Sequence, residues 1–280
     1  MLNLVFGATG FLGEKLVERL VNQGDSVLAV ARNEGKLITL KEKFPSIEIL
    51  TGDVADSWTV ALAFNRKPDA VYLLSAFKHV GMAEEQAMQC VRSNVVGTMK
   101  VIQASLIYKP KTLIFISTDK AAQVAGVYGA TKLLGERLMQ EAEKLNLDTK
   151  YRVVRYGNVW GSTSSFITKW IPKIKEGKEI ILTDPDATRF FWTREEAIEL
   201  IFECLEKAPN AKPWVPYMKA MKMGDIVIAL HEMFGEFQVK NIGLQEGENK
   251  HESMDGKVFS DSVSRYSTEE IKEIFLKQYV

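Results

Sequence analysis

Leu2-Asn-Leu-Val-Phe6 runs directly into Gly7-Ala-Thr-Gly10-Phe-Leu-Gly13, and an amphipathic stretch follows over 11–22. The opening run is short and almost wholly apolar, which predicts a buried strand. The stretch behind it repeats its apolar residues every three or four positions, which predicts a helix. The glycines between them permit a tight turn and let a pyrophosphate approach the backbone. The helix start adds unpaired N–H groups and the positive end of its dipole. A glycine turn alone is weak evidence, but a strand before it and a helix after it make a dinucleotide cradle. The expected contacts are Gly7, Thr9, Gly10, Phe11, Leu12 and Gly13.

The same rhythm continues along the chain. Apolar runs at 27–31, 47–50, 70–74, 112–116 and 151–155 alternate with helical patterns at 34–44, 57–64, 84–108 and 126–145. Near-continuous apolar strands alternating with helices imply a parallel sheet covered on both faces. The fold class is therefore α/β, a Rossmann-like doubly wound parallel sheet over residues 1–160. Beyond residue 160 the rhythm changes, with helical patterns at 166–176, 194–207, 223–234 and 268–276 and short strands near 180–182, 213–215 and 238–242. Residues 161–280 are expected to form mainly a smaller C-terminal α/β substrate-binding lobe over the sheet's carboxyl edge, with a polar loop at 247–256. The second strand ends in Arg32, where an NAD site would usually place an acid. A guanidinium there pairs with a 2′-phosphate and favours NADP. Asp53, after the third strand, is expected either to meet the adenine amino group or to cap the helix from Ser57.

Composition closes several other routes. Lys+Arg and Asp+Glu both number 36 in the 280 residues, so there is no basic excess for nucleic acid or anionic lipid. Cys90 and Cys204 are isolated, fit no metal spacing and read as reduced thiols of a cytoplasmic protein. The chain shows no export signal and no apolar run long enough for membrane insertion.

The reactive stretch is Ser117-Thr-Asp-Lys-Ala-Ala-Gln-Val-Ala-Gly-Val-Tyr128-Gly-Ala-Thr-Lys132. On a helix, Tyr128 and Lys132 lie one turn apart on the same face. An ammonium beside a phenol favours the phenolate, so Tyr128 is a candidate base at a carbinol and Thr118 a candidate to steer the alcohol. Asp119 and Lys120 follow at the strand tip, where open α/β sheets bind ligands. Beside a ketone, a base there would take an acidified proton and an acid would release a neighbouring hydroxyl as water. Lys120 as base calls for a lowered pKa, which burial beside Lys132 would supply, and Asp119 as acid calls for a closed pocket.

At these residues the chain resembles the extended short-chain dehydrogenase/reductases, and within them the inverting UDP-N-acetylglucosamine 4,6-dehydratases of bacterial surface-polysaccharide and pseudaminic-acid biosynthesis. The matching segments are Gly7–Gly13, Ala76-Phe-Lys-His-Val80, Asn94, Ser117–Lys132, Val154-Arg-Tyr-Gly-Asn-Val-Trp-Gly161, Thr188-Arg-Phe-Phe-Trp-Thr193, Met221-Lys-Met223 and Gly247–Glu252. The resemblance implies hydride transfer by Thr118, Tyr128 and Lys132, and elimination by Asp119 and Lys120. It places Asn94 near Lys132 at the cofactor, Lys78 and His79 at the sugar, Asn158 and Arg189 at the UDP, and His251 and Glu252 at the closure of the sugar site. It implies NADP as cofactor, a UDP-sugar as substrate, no metal and a homo-oligomer. In the implied cycle carbon 4 is oxidised, water leaves across carbons 5 and 6, and hydride returns to carbon 6. A 5,6-ene-forming dehydratase stops before that return. A UDP-sugar 4-epimerase or ketosugar reductase has no need of Asp119 and Lys120, and a non-catalytic NADP-sensing protein usually lacks the Tyr128/Lys132 pair. Relatives tend to read Arg-Pro-Gly-Glu-Lys-x-His-Glu where this chain reads Gln245-Glu-Gly-Glu-Asn-Lys-His-Glu252, and Asn-Pro where it reads Gln123-Val124.

Overall fold

In the computed structural model, which describes residues 1–162 and 166–279, the six expected parallel strands are present. They are β1 (Leu2–Phe6), β2 (Ser26–Ala31), β3 (Glu48–Thr51), β4 (Ala70–Leu73), β5 (Thr112–Thr118) and β6 (Lys150–Tyr156). A seventh, β10 (Pro213–Trp214), pairs with β6, and the sheet order is β10-β6-β5-β4-β1-β2-β3. The order reverses between β1 and β4, which opens a crevice at the carboxyl ends of those strands.

Alternation along each strand feeds two cores. Val5, Ala29, Tyr72, Ile114 and Val154 cluster with α1 (Phe11–Asn22), α2 (Glu34–Lys43) and α9 (Arg194–Lys207). Leu4, Phe6, Val71, Phe115 and Val153 cluster with α3 (Ser57–Phe64), α6 (Gly97–Tyr108) and α7 (Val127–Leu145). A third core joins Trp160 to α8 (Phe166–Lys175), α10 (Met223–Phe234) and α11 (Thr268–Tyr279). The chain beyond residue 160 therefore builds this lobe and also returns α9 and β10 to the main sheet. No described helix is long and apolar enough to cross a membrane.

The long helix expected over 84–108 is interrupted. α4 (Val80–Glu85) and α5 (Ala87–Val91) lead into a π-helical turn, Arg92–Val96, before α6 begins. Asn94 lies inside that wider turn with its side-chain amide buried. It accepts from the Phe77 N–H at 2.7 Å and donates to the Phe77 carbonyl at 2.9 Å and to Thr131 Oγ1 at 3.0 Å. Such single π turns bring one side chain inward, often beside a functional site.

Short strands β7 (Asn158–Val159), β9 (Thr188–Trp192) and β11 (Ala220–Lys222) form a second sheet in segments too short and too buried to show alternation. β8 (Ile180–Leu182) pairs with β12 (Val239–Asn241). The cap of α3 is also corrected: Asp56 accepts from the Thr59 N–H at 2.9 Å, while Asp53 accepts from the Ala55 N–H and lies 3.7 Å from Arg92.

Beneath α7 lies a buried ion pair. Arg155 on β6 meets both carboxylate oxygens of Glu136, and its remaining nitrogen donates to the Met254 carbonyl at 2.6 Å. Removing one partner leaves an uncompensated buried charge. Glu136→Ala is expected to destabilise the fold by about 3–5 kcal/mol, read from denaturant unfolding.

Candidate active site

The carboxyl ends of β1, β4, β5 and β6 open into a cleft of about 680 Å³. Its floor is the glycine turn. Gly7 has φ +84°, and a Cβ there would lie 2.7 Å from the Ser75 backbone nitrogen. A Cβ on Gly13 would lie 2.1 Å from the Gly7 carbonyl oxygen. Gly10 caps α1 without a side chain, leaving the first-turn N–H groups for a ligand. This cradle fits a dinucleotide pyrophosphate. Thr9, Phe11 and Leu12 share the wall with these glycines, and so do Arg32 and Asp53. Lys36 stands with Arg32 at that end of the cleft, a second cation that the sequence reading missed.

The opposite wall is the tip of β5. Thr118 ends the strand, Asp119–Ala121 make one 3-10 turn, and α7 then carries Tyr128 and Lys132 back to the cleft. Asp119 is 1% exposed. Its Oδ1 accepts from Thr118 Oγ1 at 2.7 Å, from the Lys120 N–H at 2.9 Å and from Lys120 Nζ at 3.2 Å. Its Oδ2 is buried with no partner among the described residues, although Asp119 lines the cleft. A buried carboxylate oxygen left over in this way is suited to a ligand hydroxyl.

The two lysines behave oppositely. Lys132 is driven down to about 8 by burial. Its amine donates to the Ile116 carbonyl and lies 4.1 Å from the centre of the Phe115 ring. Burial acts on Lys120 in the same sense, but the carboxylates of Asp119 and Glu252 outweigh it and raise the ammonium above its ordinary value. The lowered Lys120 expected from the sequence is therefore not the state of the ligand-free site, because two anions meet it. Tyr128 is pushed up to about 12 by burial, against the opposing charge of Lys120. Lys120 is thus a cation that acts on the phenol.

Of the other expected site residues, Lys78, His79 and Asn158 line the cleft. Burial lowers both Lys78 and His79. Asn158 donates to the Phe190 carbonyl at 3.3 Å. Asn94 does not line the cleft; it fixes the Phe77 peptide that precedes Lys78. Arg189, His251 and Glu252 do not line the cleft, and of these Glu252 meets Lys120 from outside it. Arg189 donates to the carbonyls of Thr188 and Lys250 and lies 3.8 Å from Glu252, and His251 Nδ1 is 2.8 Å from Thr188 Oγ1.

Two residues at or beside this wall were not foreseen. Glu84 of α4 accepts from the Val127 N–H at 2.7 Å and so caps α7 from another helix, next to Tyr128. No local signal marks a cap whose carboxylate comes from a distant helix. Tyr156 lines the cleft, stands opposite Thr118 in the β5–β6 register, and has a buried hydroxyl with no partner among the described residues. Its place in the Arg-Tyr-Gly-Asn segment was the available signal.

Comparison with known proteins agrees with this arrangement. Residues 3–275 match the polysaccharide biosynthesis protein family. The inverting UDP-N-acetylglucosamine 4,6-dehydratase of Campylobacter jejuni is 32% identical over 90% of this chain and 76% of its own. A UDP-glucose 4-epimerase of Rickettsia canadensis is 28% identical over the same shares, 90% and 76%. The X-ray structure of Pen from Bacillus thuringiensis superposes with a TM-score of 0.92 at 28% identity, covering 99% of this chain and 97% of that one. The chain belongs to the polysaccharide biosynthesis protein family and is an extended short-chain dehydrogenase/reductase.

The cradle makes its own prediction. Gly13→Ala places a methyl group against the backbone of the first turn. Dinucleotide affinity is expected to fall by more than ~10-fold in calorimetric titration, with a lower melting temperature.

Proposed function

We propose that this nucleotide-sugar dehydratase removes water from UDP-N-acetylglucosamine, with NADP as its cofactor and with inversion at carbon 5. One observation carries the reading: an acid and a base, Asp119 and Lys120, share a partly buried contact of 3.2 Å on the same wall as Tyr128. A 4-epimerase needs proton transfer only at the carbon 4 alcohol. A second acid–base couple has work to do where a second bond, between carbon 6 and its oxygen, must break.

Bound NADP supplies a reversible hydride acceptor. Tyr128 takes the proton of the carbon 4 hydroxyl, and Thr118 orients that hydroxyl. Lys132, its amine held by the Ile116 carbonyl, is placed to meet the cofactor ribose. The carbon 4 ketone acidifies the proton on carbon 5. Lys120 takes this proton as the neutral amine, and Asp119 gives its own to the departing carbon 6 hydroxyl. The neutral amine and carboxylic acid are the resting ammonium–carboxylate pair with one proton moved between them. A water-excluding cleft favours that uncharged form. Return of the same hydride to carbon 6 of the 5,6-ene, with a proton delivered to the opposite face of carbon 5, completes the inversion with no net redox change. UDP is held at the mouth of the cleft by Asn158, with Lys78 and His79 at the sugar. Arg32 and Lys36 meet the 2′-phosphate.

The 4-epimerase reading keeps its place because such relatives match over most of the chain. The test is incubation with UDP-N-acetylglucosamine and catalytic NADP in heavy water, read by mass spectrometry and NMR. Loss of one water, with deuterium and an inverted centre at carbon 5, is the expected outcome; an intact hexose epimerised at carbon 4 refutes it. Lys120→Ala is expected to bind NADP normally and to lose dehydration by a factor of about 10²–10⁴. Arg32→Ala is expected to weaken NADP by ~10-fold or more while leaving NAD affinity unchanged, as followed by fluorescence titration.

A further inference from the structure

Glu252 lies far along the chain from Lys120, yet it is built into the back of the same wall. Its side chain is 1% exposed. One oxygen, Oε1, stands between two cations, 3.3 Å from Lys120 Nζ and 3.8 Å from Arg189 Nε. The other, Oε2, is 3.5 Å from Asn249 Nδ2, which donates to the Gln123 carbonyl in the turn leading to α7. The backbone is pinned as well: the Glu252 N–H donates to Ser260 Oγ at 2.9 Å, and the Ser260 N–H donates to the Glu252 carbonyl at 2.8 Å. A carboxylate held from both sides stays in place when the cleft fills.

We infer that Glu252 is the positioning residue for Lys120: from behind the cleft wall it holds the amine against Asp119 and governs when that amine gives up its proton. The groups that face Lys120 are Asp119 from the tip of β5, Tyr128 from α7, Arg189 from β9 and Glu252 itself. Two carboxylates balance two cations. Removing the charge of Glu252 leaves Lys120 and Arg189 sharing one anion, so the ammonium becomes the weaker-held form. Removing the charge of Arg189 does the opposite. The catalytic meaning rests on the reading of Lys120 as the carbon 5 base; the electrostatic coupling does not.

Glu252→Gln keeps the size and an acceptor oxygen and removes only the charge. The measurement is the pH dependence of Lys120 acylation by acetic anhydride on the full chain, followed by peptide mass spectrometry. The labelling midpoint is expected to fall by about one pH unit or more, which gives about tenfold more label at a fixed pH below it. Arg189→Gln is expected to move the midpoint upward. Turnover of UDP-N-acetylglucosamine by Glu252→Gln is expected to rise at lower pH than in the parent protein. Equal labelling of parent and Glu252→Gln at every pH overturns the inference, as does a shift of both variants in the same direction. A lower melting temperature with unchanged labelling marks a merely structural contact and also overturns it. A shifted midpoint without turnover of any UDP-sugar leaves the coupling standing and removes the dehydratase reading.

Discussion

A charged amine survives in a buried wall only where anions meet it. The tip of β5 and the helix α7 bring two lysines to one cleft, which treats them differently. Lys120 finds Asp119 and Glu252 and stays an ammonium; Lys132 finds a carbonyl and the Phe115 ring and is driven down to about 8. The difference comes from partners, since burial disfavours the charge of both amines. It also bears on the phenol, because the charge that Lys120 keeps opposes the rise that burial imposes on Tyr128. The arrangement depends on the 3-10 turn at Asp119–Ala121, which aims acid and base at the same space.

The fold was legible because its signals are local and repeated. Each strand of the parallel sheet is a short apolar run, and each crossover helix shows its own period. The glycine turn fixed where the dinucleotide cradle begins. What escaped notice was decided by distant partners. The π turn at Arg92–Val96 holds Asn94, whose amide bonds to Phe77, and periodicity carries no trace of that bond. β7, β9 and β11 are two to five residues long and mostly buried, so neither alternation nor turn residues mark them.

The site was legible at the residues whose chemistry is adjacent in sequence. Thr118, Asp119, Lys120, Tyr128 and Lys132 come together as their spacing implied, because one strand tip and one helix carry them all. The charge states were not legible. Reading Lys120 as lowered by burial beside Lys132 left out Glu252, which reaches it from the C-terminal segment. Arg189, expected at the nucleotide, donates from Nη1 to two backbone carbonyls and brings Nε within 3.8 Å of Glu252. Neither contact to Glu252 could be read locally, because an ion pair between remote segments has no signature in either segment alone.

Remote contacts also tie the C-terminal segment to the turn before α7. Asn249 Nδ2 donates to the backbone carbonyl of Gln123 at 3.1 Å and reaches Glu252 Oε2 at 3.5 Å. A lysine at 249 would bring a third cation to a carboxylate already shared by Lys120 and Arg189. It would draw Glu252 away from Lys120 and weaken the hold on the ammonium. A neutral amide bridges the same two segments without that competition. The amide at 249 therefore ties the segment around Glu252 to the turn before α7, while leaving the charge of Glu252 to the two cations that flank it.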